Sequence, residues 1–414
     1  MKKILFVLFA SVLSFNHLFS QDTINVSPDT LCVSRSILSP EITADSCIIF
    51  RLYAPNAKHV KVVSDCFVKS DKSWFGGQMK QRKMRKCADG IWTYKTKKLK
   101  PEVYNYRFVV DGEWTEDPLN ADSTHVLLHK ESVAAVGGSE YADLYTEQHA
   151  PLSGTIDTVE VYSEEQQVSR MVLVYLPYNA RTDSLPLLYL LHGISGDETS
   201  WIEAGRVKQI LDNMISQQLI QPMIVVMPDC NAMNKIAPKR RTNLMRNIFN
   251  YPILNMGDFE KAFPTMYQYI IDRYPVKRER ELHTIAGLSS GAKQAANIVR
   301  DYPYMFYTLG LFSPVVHREQ LPTVGEDIRV FVFIGKGDLF YATGKDYAKM
   351  LKKQHTEYEL HQTPGGHTWK SWRTYIIDFM KITSALDEQA EQMEKDQEQI
   401  NEEQVNGEQI NNNQ

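Results

Sequence analysis

Gly287-Leu288-Ser289-Ser290-Gly291 limits what this chain can fold into more than any other stretch. Ahead of it, His283-Thr284-Ile285-Ala286 is short enough for a buried strand. Behind it, Ala292 to Arg300 reads as a helix ending near Pro303. A serine framed by two glycines between a strand and a helix is the G-x-S-x-G elbow. The reason is steric. The turn is tight enough to strain the serine backbone, and side chains at 287 or 291 would collide with strand or helix. Such a turn lifts the Ser289 hydroxyl above the sheet edge and aims the helix N-terminus at it, so that the Ser290 amide faces a developing oxyanion. Glycine- and serine-rich turns are common, so the rest of the chain has to support this reading.

A serine hydroxyl is a poor nucleophile near neutral pH and needs a base, usually a histidine oriented by a carboxylate. On an elbow-bearing sheet the chain order is serine, acid, histidine. Downstream of Ser289, the strand Val330-Phe331-Val332-Phe333-Ile334 runs into Gly335-Lys336-Gly337-Asp338. After the next strand, Thr363-Pro364-Gly365-Gly366-His367 forms a loop, and a helical stretch from Trp369 to Met380 follows. Ser289, Asp338 and His367 therefore fall at strand C-termini in the required order and are the candidate catalytic residues. Asp338 capping a helix near Tyr341 is the alternative role. Asp327, Asp346 and Glu357 do not directly follow strands. His355 and His361 suit surface or structural roles, and His317 precedes the acid. Asp229 ends a strand ahead of the serine and reads as a loop organiser.

A second oxyanion donor is expected in the loop after an early strand, Leu190-Leu191-His192-Gly193-Ile194-Ser195-Gly196-Asp197-Glu198. We assign it to the Ile194 amide, with Gly193 as the alternative, and read His192 as a brace for this loop. Trp201, Tyr341 and Trp369 are candidate substrate-binding residues; core packing is the competing role for Trp201. Cys230 reads as a buried thiol.

Composition bounds the rest. The chain has 414 residues, 43% of them hydrophobic, which leaves room for two globular domains. Lys2 and Lys3 precede the apolar run Ile4 to Leu13, and Leu18-Phe19-Ser20 offers a cleavage point before Gln21. Residues 1–20 are thus expected to be an export leader, too short to span a membrane, with the mature protein periplasmic or secreted. The last 28 residues hold nine acids and one lysine, so without leader and tail the body is about +2. A near-neutral body gives no reason to expect a nucleic-acid or membrane partner. Cys32, Cys47, Cys66 and Cys87 are available for disulfides in an exported protein, with three possible connectivities. They lack the paired C-x-x-C spacing of a zinc site, so neither metal nor cofactor is expected. Oligomeric state is not legible.

The first third reads as a small β-sandwich over residues 21–140. Its strands include Cys47 to Ala57, His59 to Val63, Ile91 to Tyr94 and Tyr104 to Gly112, with Asp111-Gly112 a hairpin signal. Trp74, Trp92 and Trp114 suit either sugar stacking or core packing. The cations between Lys80 and Lys100 read as a solvated strand face. A linker is expected over 141–155. From 156 to 385 strands alternate with helices, the mark of a mostly parallel sheet covered on both faces. Its candidate strands are Met171–Leu176, Leu187–Leu191, Met223–Met227, Leu282–Ala286, Thr308–Phe312, Arg329–Ile334 and Tyr358–Gln362. Pro264 is expected to mark the start of a helix. Residues 386–414 form an acidic tail rich in Glu, Gln and Asn.

Several strings together carry a resemblance: L-L-H-G-x-x-G-D-E-T-S-W at 190–201, P-M-I-V-V-M-P-D at 222–229, I-A-G-L-S-S-G at 285–291, I-G-x-x-D at 334–338 and G-G-H-T-W-x-x-W-R at 365–373. Residues from about 155 to 383 resemble the carbohydrate-esterase family of feruloyl and acetylxylan esterases, with enterochelin-esterase and mycolyltransferase relatives. The resemblance implies an α/β-hydrolase fold and a Ser289–Asp338–His367 triad. It departs at Ile194-Ser195, Cys230, Ser290 and Ala292, where relatives tend to have Gly, Gly, Met and Gly. The F-R-L-Y-A-P-N-A and Y-x-Y-R-F-V-V-D-G strings of the front third resemble immunoglobulin-like modules related to glycogen-binding domains. The implied activity is an exported serine esterase acting on acylated plant polysaccharide. A siderophore esterase and a non-catalytic glycan-binding protein with a relic hydrolase domain are the alternatives.

Overall fold

The computed structural model describes residues 37–386 except 69–78, 127–128, 147–150, 152, 181–183, 195, 231–258, 316–323 and 326, together with 388. The expected leader, Cys32, Trp74, His317 and nearly all of the acidic tail lie outside these residues. Among the described residues no helix is long and apolar enough to cross a membrane.

The front third forms two antiparallel sheets. One runs in the order Glu41–Ile42, Ile48–Tyr53, Ile91–Lys95, Arg85–Lys86; the other in the order Lys80–Lys83, Val60–Ser64, Glu102–Val110, His129–Val136, Ser123–Val126. Alternation along these strands turns Ile48, Phe50 and Leu52 from one sheet toward Val60, Val62, Tyr106 and Phe108 of the other, a fully buried core. The hairpin expected at Asp111-Gly112 forms, pairing Glu113–Thr115 with Glu102–Val110. Both turn residues have positive φ, +49° and +105°, which is why Asp-Gly suits it. Trp92 belongs to the core, its indole N–H bonded to the Ala54 carbonyl at 2.9 Å. Trp114 is 54% exposed, with the Arg107 guanidinium 3.6 Å from its ring centre. Of the four cysteines considered for pairing, Cys47 and Cys66 are free thiols and Cys87 is in a disulfide.

The rest of the chain builds an eight-stranded sheet from β1 (Thr155–Ser163), β2 (Val168–Leu176), β3 (Leu187–Leu191), β4 (Ile224–Pro228), β5 (His283–Leu288), β6 (Thr308–Phe312), β7 (Arg329–Gly335) and β8 (Tyr358–Thr363). Their order is β1-β2-β4-β3-β5-β6-β7-β8. β1 and β2 are antiparallel to their neighbours, and every pair from β4 onward is parallel. All seven candidate strands form, and β1 is an addition. β3, β4 and β6 are buried at every position, as strands covered on both faces must be. Apolar clusters fill both faces, one around Phe259, Phe263 and Phe306, the other around Phe312, Phe333 and Phe379.

Pro264 does not start a helix. It sits inside Phe259–Arg273, where buried Phe259, Phe263, Met266 and Ile270 hold the helix against the sheet despite the missing amide. Overlapping the stretch expected as a linker, Glu140–Thr146 is helical and buries Ala142, Leu144 and Tyr145. The Leu144 carbonyl accepts from Asn213 Nδ2 at 3.0 Å, on helix Val207–Ser216. The front sheets are also tied to the last helix, residues 369–386. There Arg373 forms a buried 2.8 Å ion pair with Glu102 and donates to the Ala204 carbonyl at 2.6 Å.

Candidate active site

The parallel register brings distant parts of the sequence to one edge. Leu191 pairs with Gly287, Leu288 with Phe312, and Phe312 with Phe333. Gly335 pairs with Thr363. The loops after β3, β5, β6, β7 and β8 therefore leave the sheet at the same end, the end where sites of open α/β sheets lie.

Between β5 and helix Ser290–Asp301, Ser289 takes φ +56° and ψ −117°, a strained conformation for a non-glycine residue. Its amide donates to the Phe312 carbonyl at 2.8 Å, which fixes the turn to β6. Both flanking glycines are required by close approach. A Cβ at 291 would stand 2.2 Å from the His192 carbonyl oxygen, and one at 287 would stand 2.5 Å from the Gly291 backbone. The helix thus passes close under the loop that follows β3.

The structure brings Ser289, His367 and Asp338 together, although 78 residues separate the first two. His367 Nε2 lies 3.0 Å from Ser289 Oγ. His367 Nδ1 lies 3.1 and 3.2 Å from the two Asp338 carboxylate oxygens. With a carboxylate at Nδ1, the proton belongs on that nitrogen, which leaves Nε2 free to accept from the serine. All three residues are buried, the histidine completely. Burial pushes the Asp338 carboxyl upward, but the His367 hydrogen bond and charge, the Phe340 amide at 2.8 Å and the Ser313 hydroxyl outweigh it. The net shift is downward, and the carboxylate stays ionised. Such a relay can deprotonate an alcohol as it attacks a carbonyl.

Three further residues hold this relay, none of them assigned a role from the sequence. Trp372 packs edge-on against the His367 ring at 5.0 Å and Phe340 does so from another side at 5.1 Å. Ser313, with φ +50°, accepts the Trp372 indole N–H at 3.1 Å while its hydroxyl bonds Asp338. Trp372 stood in the G-G-H-T-W-x-x-W-R string and Ser313 directly follows β6, so position was the only available signal.

The loop after β3 lies against the nucleophile: a Cβ at Gly193 would sit 3.3 Å from Ser289 Cβ. Ile194 is half-buried beside it, and Ser290 opens the helix on the other side. His192 braces the loop through Gly193 and Cys230, and Cys230 is a buried free thiol. Trp201 is 1% exposed, packed edge-on against Trp369 and Phe312, with its N–H on the Leu191 carbonyl at 3.1 Å; the structure places it in the core. Trp369 is half-buried between Trp201 and Trp372. Tyr341 spends its hydroxyl on Gln362. Among the competing groups, His361 stacks on Phe333 at 4.4 Å and bonds Glu359, His355 is exposed, and Asp327 pairs with Arg280. Asp346 pairs with Lys349, and Asp229 lies 3.6 Å from His192 Nε2. No group of three or more potential metal ligands occurs among the described residues.

This sheet order, with a serine on the strained turn after its fifth strand, defines an α/β-hydrolase. Residues 163–382, more than half of the chain, match the esterase family described as "Putative esterase", and the chain belongs to that family. It is 27% identical over 315 residues to an endo-1,4-beta-xylanase/feruloyl esterase of Xylanibacter ruminicola, covering 72% of this chain and 39% of the relative. The chain thus spans about two fifths of that relative's length. It is 23% identical over 250 residues to the Bacillus subtilis protein "Uncharacterized protein YjcH", covering 56% of this chain and 98% of that one. The enterobactin esterase of Shigella flexneri shares its fold at a TM-score of 0.57 and 17% identity, over 81% of this chain and 92% of the other. That coverage reaches well beyond the 163–382 stretch.

Proposed function

We propose that the protein is an exported serine esterase that removes feruloyl or acetyl groups from plant cell-wall polysaccharide such as xylan. The observation that carries the mechanism is the continuous hydrogen-bonded line from Ser289 Oγ through His367 to Asp338. Ser289 Oγ attacks the ester carbonyl carbon as its proton passes to His367 Nε2. Asp338 steadies the imidazolium through Nδ1–H. The carbonyl oxygen, now an oxyanion, is received by the Ser290 amide and by that of Ile194, with Gly193 as the alternative donor. Helix Ser290–Asp301 adds its positive end on the same side. Collapse breaks the ester C–O bond, the imidazolium protonates the departing sugar oxygen so that it leaves as a hydroxyl, and an acyl-Ser289 remains for water to release by the same steps. Trp369 is the proposed wall of the acyl pocket, and Tyr341 lies further along the same edge.

The substrate class is supported by the relative named for both xylanase and feruloyl esterase activity. Assays on methyl ferulate, 4-nitrophenyl acetate and acetylated xylan test it. Turnover is expected on at least one and is abolished in Ser289→Ala; a panel without turnover, or an active Ser289→Ala, contradicts it.

A second reading, hydrolysis of a catecholate siderophore ester, draws on the fold shared with the enterobactin esterase beyond the hydrolase sheet. A ferric catecholate is strongly anionic, and this chain's body near +2 offers little to attract it. Faster hydrolysis of enterobactin than of methyl ferulate would reverse the order of the two readings.

A further inference from the structure

The oxyanion site needs two amides from separate parts of the fold held at a fixed separation. Ser290 belongs to the helix after the nucleophile, Ile194 to the loop after β3. The trans peptide unit makes the direction of the Ile194 N–H the opposite of that of the Gly193 C=O. Whatever anchors that carbonyl therefore aims the amide. The Gly193 carbonyl is held by His192 Nδ1 at 2.7 Å and by the Gly196 amide at 3.1 Å.

His192 is itself held. In the neutral ring its Nε2 accepts the Cys230 amide at 3.0 Å and Nδ1–H donates to Gly193; burial favours this uncharged form, while Cys230 and Asp229, the latter 3.6 Å from Nε2, push the ring's pKa upward. The Cys230 thiol also faces the His192 carbonyl at 3.6 Å. On the far side of the same residue, Gln294 Nε2 donates to the Cys230 carbonyl at 3.0 Å. Gln294 lies on helix Ser290–Asp301, one turn beyond Ser290. A closed bracket of hydrogen bonds thus runs from Ile194 through Gly193, His192, the Cys230 main chain and Gln294 to the helix that begins with Ser290. His192, Cys230 and Gln294 are each no more than 2% exposed, so water does not compete for these bonds. Gln294 leaves its Oε1 without a hydrogen-bond partner. Burying an orphan acceptor costs stability, and an apolar residue of the same shape would avoid that cost.

We propose that His192 and Gln294 are positioning residues for ester hydrolysis, clamping the Ile194 amide to the Ser290 amide through the Cys230 main chain. This rests on the serine-esterase reading above. Neither side chain is placed in contact with substrate; each acts through the peptide it holds. Losing an oxyanion donor outright typically costs ~10²–10³ in turnover, so a donor left loose costs part of that.

The test compares wild type, Ser289→Ala, Gln294→Met, His192→Asn and the His192→Asn/Gln294→Met double variant on 4-nitrophenyl acetate, with thermal midpoints recorded for each. Each single variant is expected to lower kcat about 10–100-fold while KM stays within about twofold. Gln294→Met is expected to melt close to wild type, because the loss of the orphan Oε1 is offset by the Cys230 carbonyl left without its donor; a purely structural glutamine gives a lower midpoint with kcat unchanged. Since both residues act through one bracket, the double variant is expected to lose no more than about threefold beyond the worse single variant. Gln294→Met turning over within about twofold of wild type overturns the proposal, as does a raised KM at unchanged kcat or losses that multiply in the double variant. Should His192→Asn fail to fold, Gln294→Met decides alone. An active Ser289→Ala overturns the serine-esterase reading and the clamp with it, whereas an inactive Ser289→Ala beside a fully active Gln294→Met overturns the clamp only.

Discussion

Asp338 in the hydrolase sheet and Glu131 in the front sheets are both buried carboxylates, 6% and 4% exposed, yet their charges are settled in opposite ways. Burial pushes both upward. Asp338 gains the His367 ring, the Phe340 amide and the Ser313 hydroxyl, and ends below the usual carboxylate range. Glu131 is pushed up to about 7, since burial outweighs Arg107 and Asn105, and its Oε2 has no hydrogen-bond partner. Nearby Asp65 is likewise pushed up to about 7 by burial and the Glu131 charge. The number of donors aimed at a carboxylate, more than its depth, decides whether it keeps its charge. Donors are concentrated where the proposed chemistry needs an anion and sparser around Glu131 in the front sheets.

That contrast sets the expected outcomes. Ser289→Ala should lower kcat by about 10⁴–10⁶ on 4-nitrophenyl acetate, with the folded state intact by circular dichroism. Asp338→Asn keeps the shape but cannot hold the histidine tautomer, and should cost about 10⁴ in kcat. The same substitution in the front sheets, Glu131→Gln, should leave kcat within about twofold; a comparable loss there would erase the distinction between the regions. Gly291→Ala forces a methyl group onto the His192 carbonyl and should destabilise the fold by about 1–3 kcal/mol in urea unfolding, with activity falling in parallel.

The pH dependence of stability should differ in sign. Asp338 has a depressed folded pKa, so its contribution is fully present above the ordinary carboxylate value of about 3.9 and is lost as pH falls through the folded value. The destabilisation caused by Asp338→Asn should therefore shrink in strong acid. Glu131 has a raised folded pKa, so the fold loses stability as pH rises from about 4.3 toward about 7. Glu131→Gln should raise the melting point at pH 8 relative to wild type and change it less at pH 4. The smallest effect is expected for Trp369→Ala, a shift of a few-fold in KM for methyl ferulate against 4-nitrophenyl acetate.

Much of the arrangement was legible because the chemistry sits where strands end. Ser289, Asp338 and His367 each follow a strand by a few residues, and that placement separates Asp338 from Asp327 and His367 from His355. The elbow glycines were readable from sterics, as the 2.2 Å approach at Gly291 bears out. What held the relay was not readable. Ser313, Phe340 and Trp372 converge on Asp338 and His367 from two different loops and a helix, and nothing local marks a residue for such a role. Trp201 illustrates the same limit: a tryptophan beside a glycine-rich loop suits a pocket wall or a core equally, and only packing against Phe312 and Trp369 places it in the core. Pro264 misled because local propensity was outweighed by the buried aromatic face of its helix.

The most direct test of the account is the covalent intermediate itself. Wild-type protein mixed rapidly with methyl ferulate or 4-nitrophenyl acetate, quenched in acid and digested, should yield the peptide containing Ser289 heavier by one acyl group, and Ser289→Ala should yield none. Turnover with no acyl group at Ser289, or with the acyl group on another side chain, would contradict it.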